Sequence, residues 1–208
     1  MSELFYRAVR YVGTQVFRLA SAPRVLHRER AAQGGPYLLA SNHSSPYDAP
    51  LIIASNPRVI YWLSIVEIFR HPLARWFLTS FGAMPLDRSR ADTSTVRKVV
   101  RHLRAGRVVG IFPEGKMRRG DDSILAGGTI HDGVCKLAQL AGVPVLPCVV
   151  LGGENFSRWP CWLPGARTPW TVIFGEPIQP DRSEQGAAMA DRIATALRTL
   201  HQEVLADA

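Results

Sequence analysis

From residue 36 onward, short apolar runs alternate with segments in which apolar residues recur every three or four positions. The runs predict strands, and the repeating spacing predicts helices. Strands are expected at 37–40, 58–63, 83–86, 108–112, 143–151 and 170–174. A turn at 41–48 leads into a helix to about residue 55, and further helices are expected at 72–80, 93–104, 132–141 and from Met189 to Val204. The alternation predicts an α/β fold in which helices cover a mostly parallel central sheet.

The first 20 residues place apolar side chains largely at helical spacing, with arginines between them (apolar Leu4, Phe5, Val9, Val12, Val16, Phe17 and Leu19; basic Arg7, Arg10 and Arg18). A basic amphipathic helix of this kind either lies in the headgroup plane of an anionic bilayer or packs on its own domain. No stretch reaches the roughly 18 uncharged apolar residues of a spanning helix, and no secretory signal is indicated. We therefore expect an N-terminal amphipathic membrane-binding segment at 1–24, a domain at 25–208, and a peripheral protein at the cytoplasmic face of the cell membrane.

The composition fits one domain of ordinary size, since 47% of the 208 residues are hydrophobic. The three cysteines are odd in number and widely spaced, which predicts neither a disulfide framework nor a zinc site and suits a reducing compartment. The six histidines lack the spacing of metal ligands, so no metal is expected.

The net charge of +8 is concentrated in residues 81–120, where ten Lys and Arg face three Asp and Glu, a surplus of seven. This surplus favours an anionic partner, although the 97–107 portion is equally compatible with a solvated helix face. Nucleic acid is not the expected partner, because the chain lacks a helix-turn-helix, a zinc finger and the aromatic motif of ribonucleoprotein domains.

The first stretch with candidate chemistry is Ser-Asn-His-Ser-Ser-Pro-Tyr-Asp at 41–48, directly after an apolar strand. Ligands of parallel sheets bind at the carboxyl ends of the strands. If Ser45 caps the next helix and Pro46 is its first residue, Asp48 lies in the first turn and can meet the imidazole of His43. A carboxylate on one ring nitrogen leaves the other free to act as a general base toward a hydroxyl. The alternative is that Ser45 and Asp48 only cap the helix.

The second stretch runs from Gly82 to Arg88 and places an arginine just after a short strand. A guanidinium at this position binds a phosphate through paired hydrogen bonds, or it pairs with Asp87 on the surface.

The third stretch is Phe-Pro-Glu-Gly at 112–115, which ends a buried strand. Its carboxylate, Glu114, either accepts a hydrogen bond from an acceptor hydroxyl, orients a cation such as Arg88, or is a solvated carboxylate of the loop. The fourth stretch has prolines at 144 and 147, which mark a strand start or edge and predict a wall of the site with no chemical role.

In order, Asn-His-x4-Asp, Gly-x4-Asp-Arg, Phe-Pro-Glu-Gly and Val-Pro-x-x-Pro resemble the four blocks of the phospholipid/glycerol acyltransferase family, which includes lysophosphatidic acid acyltransferases. The resemblance covers about 37–151, and 174–178 resembles the family's tail. It implies that His43 is the base and Asp48 its orienting partner. It also implies that Arg88, Glu114 and Gly115 belong to the acceptor phosphate and glycerol site.

Two segments depart from the family pattern. Lys116-Met117-Arg118 stands where Thr-Arg-Ser is frequent, and 127–133 replaces a frequent Pro-Phe-Lys-x-Gly string. Lys116 and Arg118 keep the positive charge, so both are expected to bind an anionic headgroup.

The resemblance implies transfer of a fatty acyl group from an acyl-CoA or acyl carrier protein thioester to the hydroxyl of a lysophospholipid, 1-acyl-glycerol-3-phosphate above all, without a cofactor. One direct displacement is expected, in which backbone amides near the helix start after Ser44 bind the oxyanion. Two alternatives stay open: the same transfer to a different lipid or glycolipid, and a non-catalytic peripheral lipid-binding protein.

Overall fold

The computed structural model describes residues 3–80, 82–87, 92–181 and 183–207. The strands of this part of the chain are β1 (Ser21–Leu26), β2 (Tyr37–Ser41), β3 (Ile60–Ile65), β4 (Met84–Leu86), β5 (Val108–Ile111), β6 (Val145–Leu151) and β7 (Thr168–Phe174). Its α-helices are α1 (Glu3–Ala20), α2 (Arg28–Ala32), α3 (Asp48–Ser55), α4 (Pro72–Ser80), α5 (Thr93–Arg104), α6 (Gly133–Ala141) and α7 (Gly186–Ala206).

These strands form one sheet in the order β1-β7-β6-β2-β5-β3-β4. Strands β2 to β6 run parallel to one another, whereas β7 runs antiparallel to β6 and carries β1 parallel to itself at the edge. The prediction of an α/β fold with a mostly parallel sheet is confirmed. The carboxyl ends of β2, β5 and β6 therefore meet at one edge of the sheet, where ligands of such folds bind.

Alternating side chains of β2 bury the two faces of the sheet in two separate cores. Leu38 and Ala40 pack with residues of α5, α6 and α7 on one face. Tyr37 and Leu39 pack on the other face with residues of α3 and with Phe17 of α1. Because β2 is covered on both sides, its sequence is a continuous apolar run, as expected of a central parallel strand.

Two elements near the N-terminus were not predicted. The first helix ends at Ala20, and the strand Ser21–Leu26 crosses the end of the expected 1–24 segment. Pro23 and Arg24 interrupt the apolar pattern of β1. The edge of the sheet tolerates both, because an edge strand donates backbone hydrogen bonds to a neighbouring strand on one side only. Helix α2 has only five residues, too few for a visible repeat.

Helix α1 packs on the domain mainly through one face. The side chains of Tyr6 and Phe17 are buried, and the Arg10 guanidinium donates to the carbonyl groups of Asn56 and Pro57 at 2.9 and 3.0 Å. The remainder of the helix surface is exposed and mostly apolar, with Leu4, Phe5, Tyr11, Val12, Val16 and Leu19 as its large side chains. Within the described residues, no helix has the length and apolar character needed to cross a bilayer.

Candidate active site

The segment that carries His43 begins where β2 ends, and Asn42 fixes its start. The Asn42 side-chain amide donates to the Val150 carbonyl and accepts from the Val150 amide, both at 2.9 Å. The Asn42 side chain thus continues the hydrogen bonding between β2 and β6 beyond the end of β2. The sequence predicts no role for this asparagine, and its only signal there is its place directly before His43.

The imidazole of His43 and the carboxylate of Asp48 meet, as the sequence predicts. Nδ1 of His43 lies 3.0 Å from Oδ2 of Asp48. The aspartate side chain is fully buried and the histidine side chain is 20% exposed. A carboxylate at Nδ1 holds the proton there, so that Nε2 is left as the proton acceptor.

The same Asp48 oxygen also accepts the backbone N–H groups of Ser44 and Ser45, at 2.7 and 2.8 Å. Helix α3 starts at Asp48 and not at Pro46, and Ser45 Oγ accepts from the Tyr47 amide. The expected capping arrangement is therefore wrong in detail. The expectation that amides just after Ser44 bind the oxyanion is also wrong, since the carboxylate that orients His43 already occupies them.

The Phe-Pro-Glu-Gly loop after β5 surrounds His43. The Phe112 ring stacks on the imidazole with centroids 3.9 Å apart and an interplanar angle of 9°, and it also stacks on Trp62 at 4.8 Å. The Arg118 amide donates to the His43 carbonyl at 2.8 Å. These contacts fix both the ring and the backbone of the base.

Glu114 lies beneath this turn, in the interior of the protein. Its side chain is 0% exposed, Oε1 accepts the His43 amide at 2.9 Å, and Oε2 accepts the Ile124 amide at 3.4 Å. Burial raises the pKa of the Glu114 carboxyl, while the two amides favour its ionised form. Gly115 adopts φ 75° and closes the turn through its amide to the Phe112 carbonyl at 3.0 Å.

Three cationic side chains follow Glu114 along the same loop. Lys116 and Arg119 are exposed and Arg118 is half-buried. The Arg119 Nε donates to the Ser44 carbonyl at 2.7 Å, which places this positive rim beside the His43 turn. Arg88, which the sequence assigned to the same phosphate site, lies outside the described residues.

Gly153 is a site residue that we had not identified from the sequence. A Cβ at this position would lie 2.4 Å from Oδ1 of Asp48 and 3.2 Å from Cβ of Ser45. The loop after β6 therefore packs directly on the orienting carboxylate, and only glycine leaves room for it. The only signal in the sequence is the pair of glycines at 152 and 153, directly after the predicted strand at 143–151.

The buried cysteines lack the character of nucleophiles. Burial raises the pKa of Cys135 to about 11 and shifts the pKa of Cys148 in the same direction. Both thiols are thus neutral at physiological pH, and their burial suits a packing role.

Comparison with known proteins places this site in a family. The acyltransferase family model matches residues 22–151, more than half of the chain. A 1-acyl-sn-glycerol-3-phosphate acyltransferase of Bacillus subtilis is 26% identical over 199 residues, which are 91% of this chain and 93% of that protein. A Streptococcus pneumoniae protein of the same name is 24% identical over 80% of this chain and 61% of its own length.

The fold has a counterpart among solved structures. The 1-acyl-sn-glycerophosphate acyltransferase PlsC of Thermotoga maritima superposes with a TM-score of 0.73, at 18% identity, over 95% of this chain and 79% of that one. The resemblance inferred from the four ordered blocks is confirmed. The chain belongs to the acyltransferase family.

Proposed function

We propose that the protein transfers a fatty acyl group from a thioester to the free hydroxyl of 1-acyl-glycerol-3-phosphate. The observation that carries this proposal is the buried Asp48 carboxylate on Nδ1 of a His43 whose side chain is 20% exposed, beside a rim of cations. The names of the Bacillus and Streptococcus relatives support the acceptor, since the first spans nearly the whole chain.

The chemistry is one displacement. Nε2 of His43 takes the proton of the acceptor hydroxyl as its oxygen attacks the thioester carbonyl carbon, which gives a tetrahedral oxyanion. The carbon–sulfur bond then breaks, the ester remains, and the thiolate leaves with the proton that the imidazolium returns. Asp48 stays ionised throughout and stabilises the imidazolium.

The acceptor phosphate binds to the rim formed by Lys116, Arg118 and Arg119. A guanidinium pairs with two phosphate oxygens and an ammonium acts as a point charge, so the rim suits a phosphomonoester. Arg88 belongs to the same site by the family resemblance. Glu114 and Gly115 shape the loop that presents these cations.

The donor is a thioester, acyl-CoA or acyl carrier protein, and the displacement needs no metal or other cofactor. Both donors present the same carbonyl to the acceptor oxygen, so the chemistry at His43 is common to them.

The bilayer is the second partner. The exposed apolar face of α1 carries Leu4, Tyr11, Val12, Val16 and Leu19, and the exposed Arg7 and Arg18 lie at its margin. Apolar side chains bordered by cations bind at an anionic membrane interface. We propose peripheral attachment there, at the cytoplasmic face, which keeps the enzyme close to lipid acceptors.

A different lysolipid or glycolipid acceptor is the second candidate, because Lys116-Met117-Arg118 and 127–133 depart from the family pattern. A panel of lysolipids assayed with long-chain acyl-CoA and with acyl carrier protein, and His43→Ala as the blank, tests the proposal. Fastest thiol release with 1-acyl-glycerol-3-phosphate supports the proposal. Faster release with another lipid would identify that lipid as the acceptor. Liposome binding with no thiol release from any pair would indicate a non-catalytic lipid-binding protein.

A further inference from the structure

The glutamate of the Phe-Pro-Glu-Gly loop contacts the catalytic base through its backbone. Strand pairing between β2 and β5 ends at Ala40 and Ile111, so the ladder no longer reaches His43. Beyond that point the Glu114 carboxylate accepts the His43 amide at 2.9 Å. One side chain thus supplies the hydrogen bond that a neighbouring strand would otherwise make.

Both carboxylate oxygens of Glu114 have partners inside the protein. Oε1 accepts from His43 and Oε2 from Ile124, and the side chain has no exposed surface. A lipid hydroxyl would have to enter the interior to reach it. An acceptor-binding role therefore does not fit this position, whereas Lys116 and Arg119 on the same loop are exposed.

We infer that Glu114 is a positioning residue, which fixes the backbone of His43 so that its Nε2 meets the acceptor hydroxyl. This inference rests on the proposed transfer reaction. The His43 carbonyl is held in turn by the Arg118 amide at 2.8 Å, so the loop after β5 holds the peptide groups on both sides of the base. Asp48 and Phe112 fix the ring, and Glu114 fixes the point from which the ring projects.

Variants that change the length or the charge of the side chain at residue 114 distinguish a positioning role from an acceptor-binding role. Glu114→Gln keeps an oxygen at the right distance for the His43 amide, whereas Glu114→Asp keeps the charge but is one methylene too short. Displacement of a reacting group by about 1 Å can cost on the order of 10²-fold in rate, so we expect kcat to fall about that much for Glu114→Asp and for Glu114→Ala. The kcat of Glu114→Gln should stay within about tenfold of the wild type, and the KM for the acceptor should change little in all three variants.

The opposite order overturns the inference. If Glu114 binds the acceptor through its charge, kcat/KM will be higher for Glu114→Asp than for Glu114→Gln, and the acceptor KM will rise in Glu114→Gln and Glu114→Ala. Glu176→Gln is the matched control, because Glu176 is an exposed carboxylate that pairs with Arg30 at 2.8 Å after the end of β7. Thermal unfolding of each variant shows whether it folds.

A second readout is independent of turnover. In the ¹H–¹⁵N spectrum of the full chain, the His43 amide proton should resonate downfield and exchange slowly in the wild type and in Glu114→Gln. It should move upfield and exchange faster in Glu114→Ala. An unchanged His43 amide in folded Glu114→Ala contradicts the inference, whereas a wild type without acyl transfer contradicts only the proposed function.

Discussion

At the residue scale, the dyad of His43 and Asp48 depends on contacts that no short motif describes. Asp48 binds the imidazole and two backbone amides with one oxygen, while its other oxygen faces Gly153. The aspartate is thus held by the turn that it helps to shape. Its orientation should be sensitive to small changes in the loop after β6.

Gly153→Ala tests that dependence. The added methyl group would lie 2.4 Å from Asp48 Oδ1, so the carboxylate or the loop must shift. We expect a loss of stability of about 1–3 kcal/mol from overpacking and a lower kcat, measured by thermal unfolding and by initial rates. Gly34→Ala is the control, since a Cβ at Gly34 has no heavy atom within 4 Å. Wild-type rates in Gly153→Ala would show that the dyad tolerates movement of this loop.

The roles of Glu114 and Gly153, which the sequence did not reveal, share one cause. His43 and Asp48 are five positions apart, so their meeting follows from a single turn and could be predicted. Glu114 reaches His43 across 71 positions, and Gly153 meets Asp48 only because β6 lies beside β2. Such contacts depend on the order of strands in the sheet, which one sequence does not specify.

At the element scale, prediction succeeded where local signals were strong. Helix α4 begins with Pro72, and α5 begins after Asp92, whose side chain accepts the Thr95 amide; both helices have the predicted bounds. By contrast, α2 begins after His27, a residue with φ 53°, and it has no apolar repeat. Strand β1 is stabilised by its pairing with β7, about 147 positions away along the chain, and not by its own pattern.

The exposed apolar face of α1 allows a test of membrane binding. Val12→Glu places a charge among exposed apolar side chains, so we expect roughly tenfold weaker binding to anionic liposomes, with the thermal unfolding midpoint unchanged. Co-sedimentation with vesicles measures it. Leu140→Glu is the control, because Leu140 is a comparably exposed residue of α6 on the opposite side of the sheet. Equal loss in both variants would exclude α1 as the specific membrane contact.

At the scale of the whole molecule, two groups of cations from the basic 81–120 segment lie in different surroundings. Lys116, Arg118 and Arg119 lie beside the His43 turn, whereas Arg97 and Arg101 are exposed on α5. Helix α5 covers the face of the sheet opposite α1. A bilayer bound to the outer face of α1 is therefore separated from α5 by the sheet, and the rim at the His43 turn is the region suited to a lipid headgroup.

Lys116→Ala measures the contribution of that rim. Loss of one phosphate contact should raise the acceptor KM by about tenfold with kcat little changed, because the contact is made equally in the ground and transition states. The KM for the thioester should be unaffected. Monoacylglycerol, an acceptor without phosphate, provides the comparison. If Lys116→Ala raises the KM for monoacylglycerol to the same extent, the lysine does not recognise the phosphate.

In the proposed reaction, His43 removes the proton of a lipid hydroxyl that attacks a thioester. The most direct test of this claim is the rate of thiol release from long-chain acyl-CoA, dependent on added 1-acyl-glycerol-3-phosphate, in the wild type and in folded His43→Ala. Removal of a positioned base is expected to lower this rate by about 10²–10⁴-fold. A variant that keeps a tenth or more of the wild-type rate would contradict the claim.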